Sequence, residues 1–500
     1  MISKPLSSFF PIDQKEDVAI SHLTLDSRDV KPGTLFFAIP GDQFDGRKYI
    51  EQAIEKGAVA ILYENADGYE FKSHPKNTRL IAYPHLRPLV GPLAAEFYNH
   101  PTQKLNVAGA TGTNGKTSIT HFIAQAYQSL AEPAAVIGTL GYGILPHLDK
   151  TGLTTPCPVH LQRIFAELLE QGVKHIAMEV SSHALAQKRV NGVRFKTAAF
   201  TQLTQDHLDY HKDMQSYAEA KALLFQHPGL ENAVINFDDA FGRTLIEKAG
   251  RQLDVITYSV NGEKTPQHRF IAVSELNQQG AQGYRVKIKS AWGDGEFSSS
   301  LLGRFNIDNV LATLGVLLSN GMPLKVALTC CEKLRMVRGR MQVFGNEKQP
   351  KVVVDYSHTP DSLEKALTAL REHCAGHLWC VFGCGGNRDK TKRPLMANIA
   401  EKCADHIIIT DDNPRFESSK DIAADIIAGL QRPQQAFVIL DRAEAIQTAV
   451  QNANDNDIVL IAGKGHEVTQ IVGEQVLPFD DAEQVQRALH ARSVNSTRGS

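Results

Sequence analysis

The chain is built largely of short apolar runs, each closed by a glycine or a polar cluster and followed by a stretch long enough for a helix. Such runs, when bounded by turn residues, predict buried strands. Ile20, Leu23 and Leu25 are strand material, Leu35-Phe36-Phe37-Ala38-Ile39 is a strand ended by Pro40-Gly41, and Ala58–Leu62 is another. Between the last two, Asp45-Gly46-Arg47 leads into a helix that stops at Gly57. From Leu105 onward strand and helix alternate. Apolar runs at Ala134–Ile137, His175–Val180, Thr197–Phe200 and Ala233–Ile235 are separated by helix-length segments, as in a doubly wound parallel sheet. Tyr284, Val286 and Ile288 alternate with polar residues instead, which predicts antiparallel strands at the sheet edge; Asn306–Asn320 resumes as a helix. Arg338-Gly339-Arg340 breaks the pattern. Beyond it, runs at Lys351–Asp355, Leu378–Phe382, His406–Thr410, Ala436–Leu440 and Ile458–Ala462 predict a second α/β alternation. The expected fold class is therefore α/β in three domains. Residues 1–100 form a small α/β N-terminal domain, 101–337 a central domain with a mostly parallel sheet, and 338–500 a C-terminal Rossmann-like domain.

Composition changes this picture little. A length of 500 residues suits about three domains, and 42% hydrophobic with 22% charged residues describes an ordinary globular chain. A formal net charge of -2 excludes general attraction to nucleic acid or to an anionic membrane, so anions must be held by local sites. Seven cysteines without repeating spacing fit a reducing compartment. Cys380 and Cys384 lack the second pair or neighbouring histidine of a zinc site and are read as buried strand thiols. Met1–Phe10 has no apolar core of the signal-peptide kind, and no apolar run approaches the ~20 residues that span a bilayer. A cytoplasmic protein is expected, with no nucleic-acid or membrane partner. Val494–Ser500 is read as a frayed tail.

The strongest chemical signal is Asn106-Val107-Ala108-Gly109-Ala110-Thr111-Gly112-Thr113-Asn114-Gly115-Lys116-Thr117-Ser118, an apolar run, a glycine-punctuated turn and a helix-compatible segment from Ile119 to Leu130. In that setting backbone N–H groups wrap a phosphate chain, Lys116 reaches the β- and γ-phosphates and Thr117 offers its hydroxyl to Mg²⁺. The strict P-loop pattern has glycine where Ala110 stands. Catalytic groups in such sheets gather beyond the strand C-termini, where Thr154-Thr155, Glu179 and Asp206-His207 fall. Glu179 could hold Mg²⁺, a cation that prefers oxygen; alone, it is equally an exposed strand-end acid. Physics alone reads Lys221, on a predicted helix, as solvated. Arg340 follows a turn glycine, placed either to reach a γ-phosphate across a cleft or to serve as a hinge arginine in solvent. In the last domain Asp412-Asn413-Pro414-Arg415 follows a strand, and the arginine supplies a planar fork for a carboxylate. Gly463-Lys464-Gly465-His466-Glu467 and Arg388 could approach the same crevice. Two arginines and a glutamate together would suit a zwitterionic amino acid. Gly383-Cys384-Gly385-Gly386 is not continued into a dinucleotide fingerprint.

Together these stretches resemble the Mur ligase family, ATP-dependent enzymes that build the peptide of the bacterial cell-wall precursor. Matching segments run from Thr24-Leu25-Asp26-Ser27-Arg28 to Gly463–Glu467, nearly the whole chain. The Thr-Gly-Thr-Asn-Gly-Lys-Thr loop is shared with folylpolyglutamate synthetases. Leu25–Arg28, Asp45-Gly46-Arg47 and Thr154-Thr155-Pro156 look like the member that extends UDP-N-acetylmuramoyl-L-alanyl-D-glutamate. The Asp-Asn-Pro-Arg loop looks like that of members accepting meso-diaminopimelate, whose distal carboxylate Arg415 could grip; lysine would leave the arginine unpaired. The resemblance implies that residues 1–100 bind the UDP-muramoyl substrate and residues 338–500 the amino acid. It implies ATP on Gly112, Thr113, Asn114, Gly115, Lys116, Thr117 and Ser118, with Asn306 and Asp355 facing the nucleotide and Arg340 its phosphates. It implies Mg²⁺ near Thr117, Glu179 and His207, with Lys221 matching the family's carbamylated lysine. Leu25, Ser27, Asp42, Gln43, Phe44, Thr154, Thr155, Ser181, Gln187 and Arg189 would contact the UDP-muramoyl dipeptide. Arg388, Asp412, Asn413, Pro414, Arg415, Gly463 and Glu467 would hold diaminopimelate. Lys116, Glu179, His207, Lys221 and Arg340 are the expected catalytic set, in a monomer. The alternatives are a lysine-adding ligase, a folylpolyglutamate synthetase and a non-catalytic P-loop switch.

Overall fold

In the computed structural model, residues 3–12, 17–41, 44–72, 77–249, 252–265, 267–279, 283–346 and 349–498 are described. Three principal sheets follow one another along the chain, and the α/β class with a mostly parallel central sheet is as expected. The first is a parallel sheet of His22–Thr24, Thr34–Ala38, Ala58–Glu64 and Arg79–Tyr83. Its apolar faces pack on two sides, one around Phe37, Leu62 and Phe97, the other around Phe36, Ile50 and Ile61. The Asp-x-Arg motifs in this unit prove to be turn locks. Asp26 accepts from the backbone and guanidinium of Arg28, and Asp45 does the same for Arg47, each acid capping a short 3-10 turn.

Among the described residues the central sheet has ten strands. Its middle is parallel: Arg269–Gln278, Asp254–Ser259, Asn232–Asn236, Thr197–Phe200, Asn106–Thr111, His175–Glu179 and Ala134–Gly138 lie side by side in that order. Tyr284–Ser290 and Gly293–Ser299 extend one edge antiparallel, as their alternation predicted. Helices cover both faces. The helix Lys116–Gln128 and the almost wholly buried Arg304–Ser319 fill one side, and Pro158–Glu170 the other. The third sheet has the order Gln342–Phe344, Lys351–Asp355, Ile458–Ala462, Leu378–Phe382, His406–Ile409, Ala436–Val438, parallel except for its first strand. Cys380 and Cys384 are buried thiols in its core. No helix among the described residues is long and apolar enough to cross a membrane.

The first two units meet where the helix Arg87–Phe97 packs on Pro158–Glu170 and on the main chain at Asn191. The helix Arg87–Phe97 contains Pro92, which has no N–H to give to the carbonyl four residues back, and Asn191 Nδ2 donates to that Pro88 oxygen at 3.0 Å. Beside it, a Cβ on Gly91 would lie 1.9 Å from the Asn191 carbonyl oxygen.

Candidate active site

The C-terminal ends of the central strands open on a cleft of about 480 Å³ whose far wall comes from the third sheet. The phosphate-loop strand ends at Thr111, and the helix begins at Lys116. Two glycines let the turn between them close. Gly112 (φ +142°) and Gly115 (φ +90°) occupy backbone regions that L side chains rarely adopt, and a Cβ on Gly112 would lie 1.8 Å from Thr201 Oγ1. The turn aims the N-terminus of a thirteen-residue helix into the cleft, an arrangement that favours a phosphate. Lys116 Nζ donates to the carbonyls of Gly112 (2.9 Å) and Thr113 (2.8 Å). Lys221 Nζ donates to the same Gly112 oxygen at 2.8 Å and lies over the Tyr217 ring.

Lys221 corrects the solvated reading that physics alone preferred: it is 1% exposed. Its neighbours Tyr217 and Ala218 turn inward with it on the helix Met214–Ala222, whose periodicity is too weak to mark a buried face. Burial, and then the charge of Lys116, hold its ammonium well below the ordinary lysine range. Glu179 is likewise no exposed strand-end acid. It is buried, its Oε1 accepts from Thr117 Oγ1 (3.0 Å) and Thr139 N (2.9 Å), and its Oε2 accepts from Thr139 Oγ1 (3.1 Å). Nor is Arg340 a solvent hinge. Its guanidinium sits 4.3 Å from the centroid of Tyr356 and donates to Thr117 Oγ1 at 3.4 Å, while its Nε is sealed without a partner. His207, at a left-handed turn (φ +55°), lines the same cleft beside Asp206. Thr117, Thr139 and Glu179 present oxygen donors that suit a hard divalent cation.

Residues 113–118 are joined on the cleft by Asn306 and Asp355 from opposite walls. Asn306 is held by Leu302 O and Asn309, and Asp355 accepts from Met341 N (2.7 Å) and from Ser357 Oγ. Side chains tie the third unit across the opening: besides Arg340 on Thr117, Asn114 Nδ2 donates to Asp361 at 3.1 Å, and Lys365 Nζ donates to Gln202 at 2.8 Å.

The other expected site residues fall in two further places. Leu25, Ser27, Phe44, Gln187 and Arg189 line a second cleft of about 820 Å³ between the first unit and the central sheet. Asp42 and Gln43 lie outside the described residues. Thr154 and Ser181 belong to the first cleft, and Thr155 is fully buried between the two, its Oγ1 donating to Glu179 O and its carbonyl accepting from Arg189. Arg388, Asp412–Arg415, Gly463 and Glu467 follow adjacent strands of the third sheet and sit together at its C-terminal edge. They are not among the residues lining the phosphate-loop cleft; Tyr356, one residue beyond the strand Lys351–Asp355, stands between. There Asn413 donates to Glu467 Oε2 at 2.8 Å, Arg415 Nη1 donates to Gly386 O at 3.0 Å, and Arg388 is exposed.

Sequence reasoning passed over Thr139 and named Lys464 only as part of a run, with no role of its own. Thr139 ends a strand adjacent to that of Glu179, which the strand-end rule could have flagged. Lys464 is fully buried, bridging Asn413 Oδ1 (3.1 Å) and Glu467 (3.2 Å), and nothing in its glycine-rich run signals that burial.

Comparison with known proteins agrees with this layout. Residues 19–98 match the Mur ligase family catalytic domain, 110–317 the Mur ligase middle domain and 339–465 the Mur ligase glutamate ligase domain. Proteins of Coxiella burnetii and Pseudomonas aeruginosa, both named UDP-N-acetylmuramoyl-L-alanyl-D-glutamate--2,6-diaminopimelate ligase, are similar over their whole length. The first is 54% identical over 95% of this chain and 96% of that protein, the second 46% identical over 98% and 99%. A solved structure of a ligase of that name superposes with a TM-score of 0.68 at 36% identity, covering 95% of each chain. Three domains in sequence and relatives this similar along their full length place the chain in the Mur ligase family.

Proposed function

We propose that the protein joins meso-2,6-diaminopimelate to the γ-carboxylate of the D-glutamate of UDP-N-acetylmuramoyl-L-alanyl-D-glutamate, at the expense of ATP, in peptidoglycan precursor synthesis in the cytoplasm. Arg415 beside Asn413 and Glu467, in a chain with full-length relatives named for this reaction, is the observation that carries the reading. The substrate γ-carboxylate attacks the γ-phosphate, giving an acyl phosphate and ADP; the amine then adds to the acyl carbon and inorganic phosphate leaves. Residues 112–118 cradle the phosphates. Lys116 and Arg340 approach them from opposite walls and offset the charge that spreads over the transferring group. Mg²⁺, when bound, supplies further positive charge there. Thr117 and Glu179 would hold it, with His207 and a carbamylated Lys221 nearby. Lys221 is suited to that modification because burial favours its neutral amine, the form that adds to CO₂. The cleft between the first two units takes the UDP-muramoyl dipeptide, and Arg415 pairs with the distal carboxylate of the amino acid. Approach of the third unit over the cleft would exclude water from the acyl phosphate. The protein acts as a monomer in this reading.

The test is phosphate release from ATP with the UDP-dipeptide and either meso-diaminopimelate, L-lysine or no amine, for the parent and for Arg415→Ala. Release with diaminopimelate alone, lost in the variant, is expected. Equal use of lysine would overturn the carboxylate clamp, and release without any acceptor would favour a nucleotide switch.

A further inference from the structure

Arg415 has a left-handed backbone (φ +52°), and so does Asn387 (φ +53°) on the loop facing it. Residues with side chains hold that conformation only where their surroundings impose it. On one side Arg415 is fixed by the hairpin Thr469–Val472/Gln475–Pro478: its N–H donates to Ile471 O at 3.0 Å, and its carbonyl accepts from Gly473 at 2.7 Å. On the other side the loops run backbone to backbone. Gly386 N donates to Asn413 O at 2.9 Å, and Phe416 N donates to Asn387 Oδ1 at 3.1 Å. A Cβ on Gly386 would lie 1.9 Å from the Pro414 carbonyl oxygen.

One carboxylate joins the two loops. Glu417 accepts from Asn387 N, from Lys390 Nζ at 3.0 Å, and from both terminal nitrogens of Arg393 at 3.0 and 3.2 Å. Arg393 is wholly buried and also donates to Gly385 O (3.2 Å) and Asp425 (2.8 Å). These donors hold the Glu417 carboxyl down at about 2, so it stays charged wherever the enzyme works.

We propose that Glu417, anchored by Arg393, is a positioning residue for amine selection: it clamps the Gly385–Arg388 loop against Asn413–Phe416 and so preforms the Arg415 guanidinium for the distal carboxylate of the incoming amino acid. Glu417 touches no substrate in this scheme. Its effect is to remove the ordering cost that a mobile arginine would bear on binding. The proposal rests on the reading of Arg415 as the carboxylate clamp.

The experiment is steady-state kinetics on the full chain with Glu417→Gln, Asn387→Gly, Arg415→Ala and the Glu417→Gln/Arg415→Ala double variant. Asn387→Gly tolerates the left-handed backbone and deletes only the side-chain amide that Phe416 uses, so it loosens the same two loops through a second contact if Glu417→Gln does not fold. Each single loop variant should raise KM for meso-diaminopimelate about tenfold with kcat within about twofold and KM for ATP and the UDP-dipeptide unchanged. On top of Arg415→Ala, Glu417→Gln should add less than about twofold. Effects that multiply in the double variant, or a uniform loss in all parameters tracking a fall in Tm, would reduce Glu417 to a structural part. Unchanged KM in Glu417→Gln and Asn387→Gly while Arg415→Ala is impaired would overturn this inference alone. An unimpaired Arg415→Ala would overturn the clamp beneath it.

Discussion

At the scale of the residue, burial decides what each charged group can do. Lys221 is sealed beneath the phosphate loop, within reach of the Gly112 carbonyl that Lys116 also uses. Two ammonium groups on one oxygen repel each other, and converting one to a carbamate would replace that repulsion with attraction for a cation. Lys221→Ala should therefore abolish the carbamate resonance that ¹³C NMR detects after equilibration with labelled bicarbonate, and lower turnover about 10²-fold, in the range of lost electrostatic stabilisation. Retention of the resonance would assign it to another amine. Part of this was legible: the spacing of Gly112–Ser118 predicted the glycine-turned loop at a helix N-terminus that the fold shows. Burial of Lys221, Glu179 and Lys464 was not, because each lies in a stretch whose local periodicity says nothing of what packs over it.

At the scale of the element, the sequence was read best where apolar runs are pure. Thr197–Phe200, Leu378–Phe382 and Ile458–Ala462 are strands at their expected bounds. Of the elements that went unread, three have identifiable reasons. Asp254–Ser259 carries threonine, tyrosine and serine inward, where Tyr258 OH donates to Phe200 O at 3.0 Å and Ser259 Oγ to Asp238 at 2.6 Å. Arg79–Tyr83 is a half-exposed edge strand, and Arg87–Phe97 is a helix that contains a proline. The helix Arg304–Ser319 offers a test of its own. Its buried Asn306, Asn309 and Thr313 are all bonded, whereas Asp308 keeps one carboxylate oxygen sealed without a partner, opposite Asp238. Burial, and then Asp238, raise its pKa to about 7. A carboxyl with a raised folded-state pKa binds its proton more tightly folded than unfolded, so it favours folding at low pH and this contribution is lost as pH rises toward 7. The Tm advantage of Asp308→Asn over the parent, followed by thermal melts without nucleotide, should grow from about pH 4 to about pH 7 and then level off. A constant difference would mean that Asp308 is ionised in the fold throughout.

At the scale of the whole molecule, three sheets present their loops to two clefts, and the clefts are bounded differently. The one between the second and third units is bridged by side chains, Asn114 to Asp361 and Lys365 to Gln202, which can release and re-form. The one between the first and second units is flanked by the seam at Gly91 and Asn191, where main chain meets main chain. Gly91→Ala should force that seam open by more than an ångström and raise KM for the UDP-dipeptide several-fold, leaving KM for ATP near the parent value. Equal effects on both would point to global loosening instead.

The seam has a further consequence. A joint made of side chains has rotamers, and with them a range of settings; a joint made of main chain against main chain has one. In the proposed reading, the cleft beside Gly91 is thus the more fixed of the two, a gauge for the UDP-substrate, and the cleft beneath the third unit is the jaw. At Gly91 the contact is main chain on main chain, so a substitution there can only add atoms, and widening the gap would take a shift of the helix Arg87–Phe97 as a whole.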